Sequence, residues 1–164
     1  MSQHQAELRS DMTLIVECAE FRHVQPESLK YADAMSQLSS CPPDSVRAIE
    51  GKVFRFFHED TSDERNYLPP AKLQPTRRWK DDEERCDGFG LSMFFSQEKA
   101  ETYFSELRLA VPNIGKRIGS HVATARLVGS DGVATPENEV GHFSLFESSD
   151  CSLKDRFELV KALV

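Results

Sequence analysis

The chain has 164 residues, of which 39% are apolar and 29% are charged. This length and apolar content predict one domain of ordinary size with a packed core, and they exclude an intrinsically disordered chain. Because 27 acidic residues outnumber 20 basic ones, the formal net charge is −7. Such an acidic balance opposes sequence-independent binding to nucleic acid and suits either solubility or a basic partner. No apolar stretch approaches the ~18 residues of a membrane-spanning helix.

The cysteines are far apart in the sequence and lack the close spacing of metal knuckles and thioredoxin-like sites. We therefore expect free thiols in a reducing compartment. The first residues, MSQHQAELRSDM, carry no basic start followed by an apolar run, which a secretory signal peptide needs. These features predict a cytoplasmic protein. The cysteines are Cys18, Cys41, Cys86 and Cys151.

Two helices are predicted in the N-terminal segment, residues 1–45. The second begins at Pro26, a residue type favoured in the first helical turn, and ends near Leu38, before a pair of prolines. We expect this helical pair to pack on the core or to join two copies of the chain as a homo-oligomer. The first helix carries an apolar stripe formed by Leu8, Met12, Ile15, Val16 and Ala19.

The remaining residues, 46–164, are predicted to form a single α+β domain. Between its first two strands, residues 58–88 form a polar stretch with charge runs and prolines. A loop of this length is uncommon inside a compact domain, so we expect a flexible insertion. The strands are expected where β-branched and aromatic residues concentrate, near 52–58, 90–95, 121–128 and 142–147.

The clearest local signal is GFGLSMFFSQEKAETYFSEL, residues 88–107, in which an alternating strand pattern changes to a helical one at Ser96. Ser96 is a candidate helix cap, and Glu98 suits the positive end of the helix dipole. Near the end of the chain, the sequence from Ser152 to Asp155 is close to a capping box and predicts a docked terminal helix. The predicted fold is a small mixed or antiparallel sheet of about four strands packed with helices.

Polar side chains on the predicted strands supply the candidate site residues. Arg55 is unusual within an aromatic strand, because a guanidinium there must pair with a carboxylate such as Glu147 or bind an anionic ligand. His58 and His142 lie at strand edges, where a polar residue is ordinary. A zinc site would need ligands in close pairs, which the widely spaced histidines and cysteines do not provide, so no metal site is predicted.

The order of these residues resembles that of ADP-ribosyltransferase domains. A strand with Arg or His, VFRFFH, is followed by a strand ending in serine, an alanine-containing helix and a late strand ending in glutamate, HFSLFE. By this resemblance, Arg55 or His58 grips NAD. Ser92 or Ser96 shapes the nicotinamide pocket, and Glu147 orients the ribose. The serine–threonine–serine run of that family is missing from this chain.

Two functions remain open from the sequence. The first is a non-catalytic, acidic interaction protein that masks a basic protein partner, as an immunity protein or antitoxin does, and that needs no cofactor. Its expected binding residues are Tyr67 and Trp79, of types enriched at interfaces, together with Arg55 and His142. The second is an ADP-ribosyltransferase-like enzyme, or a degenerate NAD-binding relative, whose candidate residues are Arg55, His58, Ser96 and Glu147.

Overall fold

The computed structural model describes residues 25–163, and their central element is one antiparallel sheet of seven strands. The strands are β1 (Arg47–Ala48), β2 (Gly51–Phe57), β3 (Leu91–Phe94), β4 (His121–Leu127), β5 (Gly132–Ala134), β6 (His142–Glu147) and β7 (Glu158–Ala162). They lie in the order β1-β5-β6-β3-β2-β4-β7. The sheet order brings β6, β3 and β2 together, although a long segment separates each from the next in the sequence.

The helices of the described residues are short, and α4 alone is longer than two turns. None of them is long and apolar enough to cross a membrane. Single 3-10 turns lie at Pro26–Ser28, Glu64–Tyr67 and Gly129–Asp131. The α-helices are α1 (Ala32–Met35), α2 (Pro70–Leu73), α3 (Asp82–Asp87), α4 (Gln97–Ala110) and α5 (Ile114–Ile118).

The prediction of about four strands packed with helices and an N-terminal helical pair is wrong. The four predicted strands correspond to β2, β3, β4 and β6, but β1 and β5 were missed because they are only two and three residues long. Strands of that length show no readable alternation. The first predicted helix lies outside the described residues. The second is only the 3-10 turn at Pro26–Ser28 and the four-residue α1.

The predicted terminal helix is also wrong, because the chain there forms β7. Asp155, which was expected in the first helical turn, has a left-handed backbone with φ of 69°. A right-handed helix cannot include that conformation. Beyond it, β7 pairs antiparallel with β4, from Glu158 opposite Thr124 to Ala162 opposite His121, and this ladder satisfies its backbone.

Alternation along the strands gives the sheet two apolar faces. One face is covered by α4 and α5, which pack Phe104 and Ile114 against it. The residues that this face buries from the strands are Phe54, Phe56, Phe94 and Val122. The opposite face buries Val53, Phe57, Leu91, Met93, Phe143 and Leu145.

The sheet divides between β2 and β3. β2 pairs with β4 along its whole length, and β3 pairs with β6 along its whole length. Between β2 and β3, however, Phe54 opposite Phe94 is the single paired position. Beyond Phe54 the two strands lose their ladder, and we call the resulting gap the split. At the split, backbone groups of β2 and β3 that do not pair with each other can form hydrogen bonds to side chains or to a ligand.

The segment from His58 to Gly90 is packed against the body of the protein and contains α2 and α3. Asn66, Pro69 and Gly88 in it are buried. A disulfide joins Cys41 to Cys86 of α3, with their Cα atoms 5.6 Å apart. The expectation of free thiols is therefore wrong for this pair, which is 45 residues apart in sequence and is brought together only by the tertiary fold.

Candidate functional site

Arg55 projects from β2 into the split and connects the two halves of the sheet. Its side chain is 8% exposed. Nε donates to the Asn66 carbonyl at 2.9 Å and Nη1 donates to the Ser92 carbonyl at 2.7 Å. Burial lowers the pKa of the guanidinium to about 10, whereas the charge of Glu147 acts in the opposite direction. Arg55 forms no ion pair with a described carboxylate, so the ion pair expected with Glu147 is not made.

Ser92 and His142 form the shortest polar contact beside the split. Ser92 is paired with Ser144, which is two residues from His142 on the same strand. Because side chains two residues apart share a face, Ser92 and His142 lie on the same face of the sheet. Ser92 Oγ is 2.5 Å from His142 Nε2. Burial lowers the pKa of His142, while Asp87 raises it and Arg55 lowers it. The imidazole is therefore neutral at pH 7 and can accept a proton from a hydroxyl group.

His58 follows the last residue of β2 and is half-buried. Its backbone N–H donates to Asn66 Oδ1 at 2.7 Å. Burial lowers the pKa of His58, and the nearby charges of Arg65 and Arg55 lower it further, against the opposing effect of Asp63. We call Arg55, His58, Ser92 and His142 the split site, since the other three are linked to Arg55 by a hydrogen bond, by charge or through Ser92. Arg55 lies on the sheet face of Val53 and Phe57 and reaches the backbone carbonyl of Ser92, whereas the side chains of Ser92 and His142 lie on the other face.

Two residues of the resemblance lie outside the split site. Ser96 caps α4, and its hydroxyl accepts a hydrogen bond from the Lys99 backbone at 3.3 Å, which confirms the predicted cap. Glu147 ends β6 and points to the sheet face opposite to that of His142, since side chains alternate along the strand. There its carboxylate accepts from Lys30 Nζ at 2.5 Å. Among the described residues, neither side chain forms a hydrogen bond or ion pair with Arg55, Ser92 or His142, although the charge of Glu147 acts on Arg55.

The aromatic residues predicted for partner binding are held by internal packing. Tyr67 stands edge-on to Phe57, with ring centroids 5.5 Å apart, and donates to the Thr61 carbonyl. Trp79 lies beneath the Arg77 guanidinium, 4.2 Å from the ring centroid, and packs against Gly88. Both side chains fix the segment between β2 and β3 in place. Tyr67 and Trp79 are each only partly buried, so part of each side chain remains exposed and could contact a partner.

Two surface depressions lie away from the split site. One of about 430 Å³ is lined by serines, Asp131 and Arg156, and one of about 330 Å³ lies between α4 and β7. In the first, Asp131 is fully engaged by the Arg156 guanidinium, with both contacts at 2.7 Å. Within residues 25–163, no group of three or more His, Cys, Asp or Glu side chains is arranged to hold a metal ion.

Comparisons with protein-family models, curated proteins and solved structures find no significant match to this chain.

Two residues that contact the sequence-predicted candidates were missed from the sequence. Asn66 lies in a polar segment whose composition gives no sign that it would be 2% exposed. Lys30 lies in a predicted helix, far from Glu147 in sequence. Ser92 and His142 were named as candidates from the sequence, and the alternation of side chains along each strand indicated which neighbours share a face with them. Their contact needed the register between β3 and β6, which local patterns do not contain.

Proposed function

We propose that the chain binds a nicotinamide dinucleotide at the split site, in the manner of ADP-ribosyltransferase domains. The observation that supports this proposal is the adjacency of β6, β3 and β2. These strands carry the three stretches on which the resemblance rests, and one dinucleotide can contact all three only if they are neighbours. Arg55 Nη1 donates to the Ser92 backbone carbonyl, and the Ser92 hydroxyl contacts His142 on the other face of the sheet.

The charge at the split favours an anionic ligand. Arg55 is a buried cation whose hydrogen bonds to described residues go to two carbonyl oxygens, and its charge is offset only by the more distant carboxylate of Glu147, with which it forms no ion pair. A guanidinium suits a phosphate oxygen, because its planar fork matches the geometry of phosphate. The pyrophosphate of NAD supplies such a group.

The chemistry proposed at the site differs from that of the resemblance in one residue. When bound, NAD supplies an activated ribose whose bond to nicotinamide breaks as an oxygen nucleophile bonds to the same carbon and nicotinamide leaves with the bonding electrons. The nucleophile must lose a proton in this step. His142, neutral and bonded to Ser92, is placed to accept that proton, whereas Glu147 is engaged by Lys30. A general base of this kind contributes roughly 10² to 10⁴ in rate.

The test measures binding and turnover separately. NAD⁺ binding is followed by calorimetry, and nicotinamide release is followed by chromatography, for the full chain and for variants. We expect His142→Gln to lower nicotinamide release by at least about 100-fold while NAD⁺ still binds. His121→Gln is the matched control, because His121 lies at the start of β4 and bonds to Ser120. Absence of NAD⁺ binding at millimolar concentration, or equal turnover in both variants, would refute the proposal.

The predicted role as an acidic interaction protein stays a prediction. The carboxylates of Asp82 and Glu83 at the exposed start of α3 favour a basic partner. Association that weakens steeply as salt rises, measured with a basic protein recovered from a native source, would support it. A salt-independent association would count against charge as the basis of binding.

The compartment is proposed from the cysteines. Disulfides persist in oxidising compartments and are rare in the reducing cytoplasm. The Cys41–Cys86 disulfide therefore favours an oxidising compartment over the cytoplasm that the sequence predicts. Alkylation of thiols in intact cells, followed by mass spectrometry of the Cys41 and Cys86 peptides, measures which form the protein has where it acts.

A further inference from the structure

Ser92 and His142 form a pair in which a hydroxyl group meets an imidazole nitrogen. Ser92 lies on β3, and His142 begins the neighbouring β6, 50 residues further along the chain. The antiparallel register of the two strands brings the side chains together, so that Ser92 Oγ lies 2.5 Å from His142 Nε2. A nucleophilic hydroxyl must lie within hydrogen-bond reach of its base, and this pair meets that condition.

The pair interrupts an otherwise apolar face of the sheet. On this face Phe94 packs beneath α4, and Phe146 packs with residues of α1 and α3 in a separate apolar cluster. Ser92 is paired with Ser144, which lies between His142 and Phe146 on the same face of β6. Phe94 also stands edge-on to the His142 ring, with centroids 5.6 Å apart. Within residues 25–163, Ser92 and His142 are both partly exposed, so a small molecule in solvent can reach them without an enclosed cavity.

The charges around His142 suit a base that takes up a proton. Burial has the largest effect on the pKa of His142 and lowers it, and the charge of Arg55 acts in the same direction. The imidazole is therefore neutral at pH 7, and with its proton on Nδ1 it has a lone pair on Nε2 for the hydroxyl proton. Asp87, the last residue of α3, acts in the opposite direction, because its negative charge favours the imidazolium. An acid that stabilises the protonated histidine is the third member of a serine–histidine–acid arrangement, and Asp87 supplies that charge.

We propose that Ser92 is an activated nucleophile, with His142 as its base, that takes the acyl group from small activated esters. Ser92 Oγ bonds to the ester carbonyl carbon while its proton passes to His142 Nε2. The bond from that carbon to the ester oxygen then breaks, and the leaving alcohol departs with the bonding electrons and the proton from His142. Water attacks the acyl-serine with the same base, which releases the carboxylic acid and restores the hydroxyl. This activity goes beyond the proposed function, because it needs no dinucleotide.

A second serine–histidine pair in the same chain supplies an internal control. Ser120 Oγ lies 3.1 Å from Nδ1 of His121, and both residues are also partly buried. The full chain is treated with a fluorophosphonate, which bonds to activated serine hydroxyls, and peptide mass spectrometry measures the labelling rate at each serine. We expect Ser92 to be labelled at least about 100-fold faster than Ser120, which is the lower end of what a general base contributes. In urea the labelling rate of Ser92 should fall to that of Ser120.

Variants separate the roles of the two residues, and circular dichroism establishes that each variant is folded. His142→Gln should slow both the labelling of Ser92 and the hydrolysis of p-nitrophenyl acetate by at least about 100-fold. Ser92→Ala should abolish the initial burst of p-nitrophenolate, whereas the matched control Ser120→Ala should keep it.

Two outcomes would overturn the proposal. Equal labelling of Ser92 and Ser120 in the unaltered chain would do so even where a variant fails to fold, because that comparison needs no variant. Unchanged labelling of Ser92 in a folded His142→Gln variant would do so as well. Absence of NAD⁺ binding would refute the proposed function and leave this activity standing, whereas NAD⁺ binding without labelling of Ser92 would refute this activity alone.

Discussion

The ion pair between Lys30 and Glu147 predicts an asymmetric response to mutation. The Glu147 side chain is 3% exposed and the Lys30 side chain is 29% exposed. Among the described residues, Lys30 Nζ donates the side-chain hydrogen bond that the Glu147 carboxylate accepts. Lys30→Met therefore leaves a buried charge without its partner, and such a loss costs about 3 to 5 kcal/mol.

Glu147→Gln has a smaller expected cost. The glutamine carbonyl can still accept from Lys30, and the ammonium group of Lys30 is exposed enough to recover hydrogen bonds with water. We expect a loss of about 1 kcal/mol in the free energy of unfolding. The double variant should be more stable than Lys30→Met alone, because no unpaired carboxylate remains.

Urea unfolding of the single and double variants measures these differences from the midpoint and the slope. Nicotinamide release by Glu147→Gln should match that of the unaltered chain, since the carboxylate lies outside the split site. A cost for Glu147→Gln that equals or exceeds that of Lys30→Met would refute the electrostatic reasoning. Loss of turnover with unchanged stability would instead return Glu147 to the catalytic role that the resemblance implies.

Three further predictions concern packing, pH and the disulfide. Gly88→Ala should lower the free energy of unfolding by about 1 to 3 kcal/mol and shift Trp79 fluorescence, because an added Cβ would lie 2.5 Å from the indole ring. Since burial lowers the pKa of His142 below 6.5, its contribution to stability is complete above pH 6.5 and is lost as the pH falls through the folded-state pKa. Urea unfolding measured at several pH values should show that the free energy of unfolding of His142→Gln depends less on pH than that of the unaltered chain. Non-reducing peptide mapping should find Cys41 linked to Cys86, and dithiothreitol should lower stability by about 2 to 4 kcal/mol.

Local signals predicted the strand-to-helix unit around Ser96 but not the terminal segment. The cap at Ser96 was predicted because a cap depends on a few consecutive residues, and its hydrogen bond spans only three. The strand segments around Arg55 and His142 were found for the same reason. The terminal segment failed because the pairing of β7 with β4 outweighs its helical pattern, and because Asp155 adopts a left-handed backbone.

Features that depend on distant residues could not be predicted. The disulfide, the sheet order and the split arise from contacts between segments far apart in sequence. The residue types of the split site were predicted in part, since Arg55 was singled out as an unusual residue in an apolar strand. Its carbonyl partners and the contact between Ser92 and His142 required the register of three strands.

Substitution of Arg55 tests whether this residue binds a ligand or only stabilises the fold. A buried guanidinium with two carbonyl partners has lost hydration without gaining a direct ion pair, and an apolar side chain of similar length often serves a folded core equally well. Arg55→Met removes two hydrogen bonds and also relieves this desolvation, so the free energy of unfolding should change by less than about 2 kcal/mol. NAD⁺ affinity should fall by at least about 100-fold, because the cation for the pyrophosphate is gone. Urea unfolding measures the stability of this variant, and calorimetry measures its NAD⁺ affinity. A loss of more than about 4 kcal/mol in stability would identify Arg55 as a residue that holds the two halves of the sheet together, and the buried charge would then need no ligand to explain it.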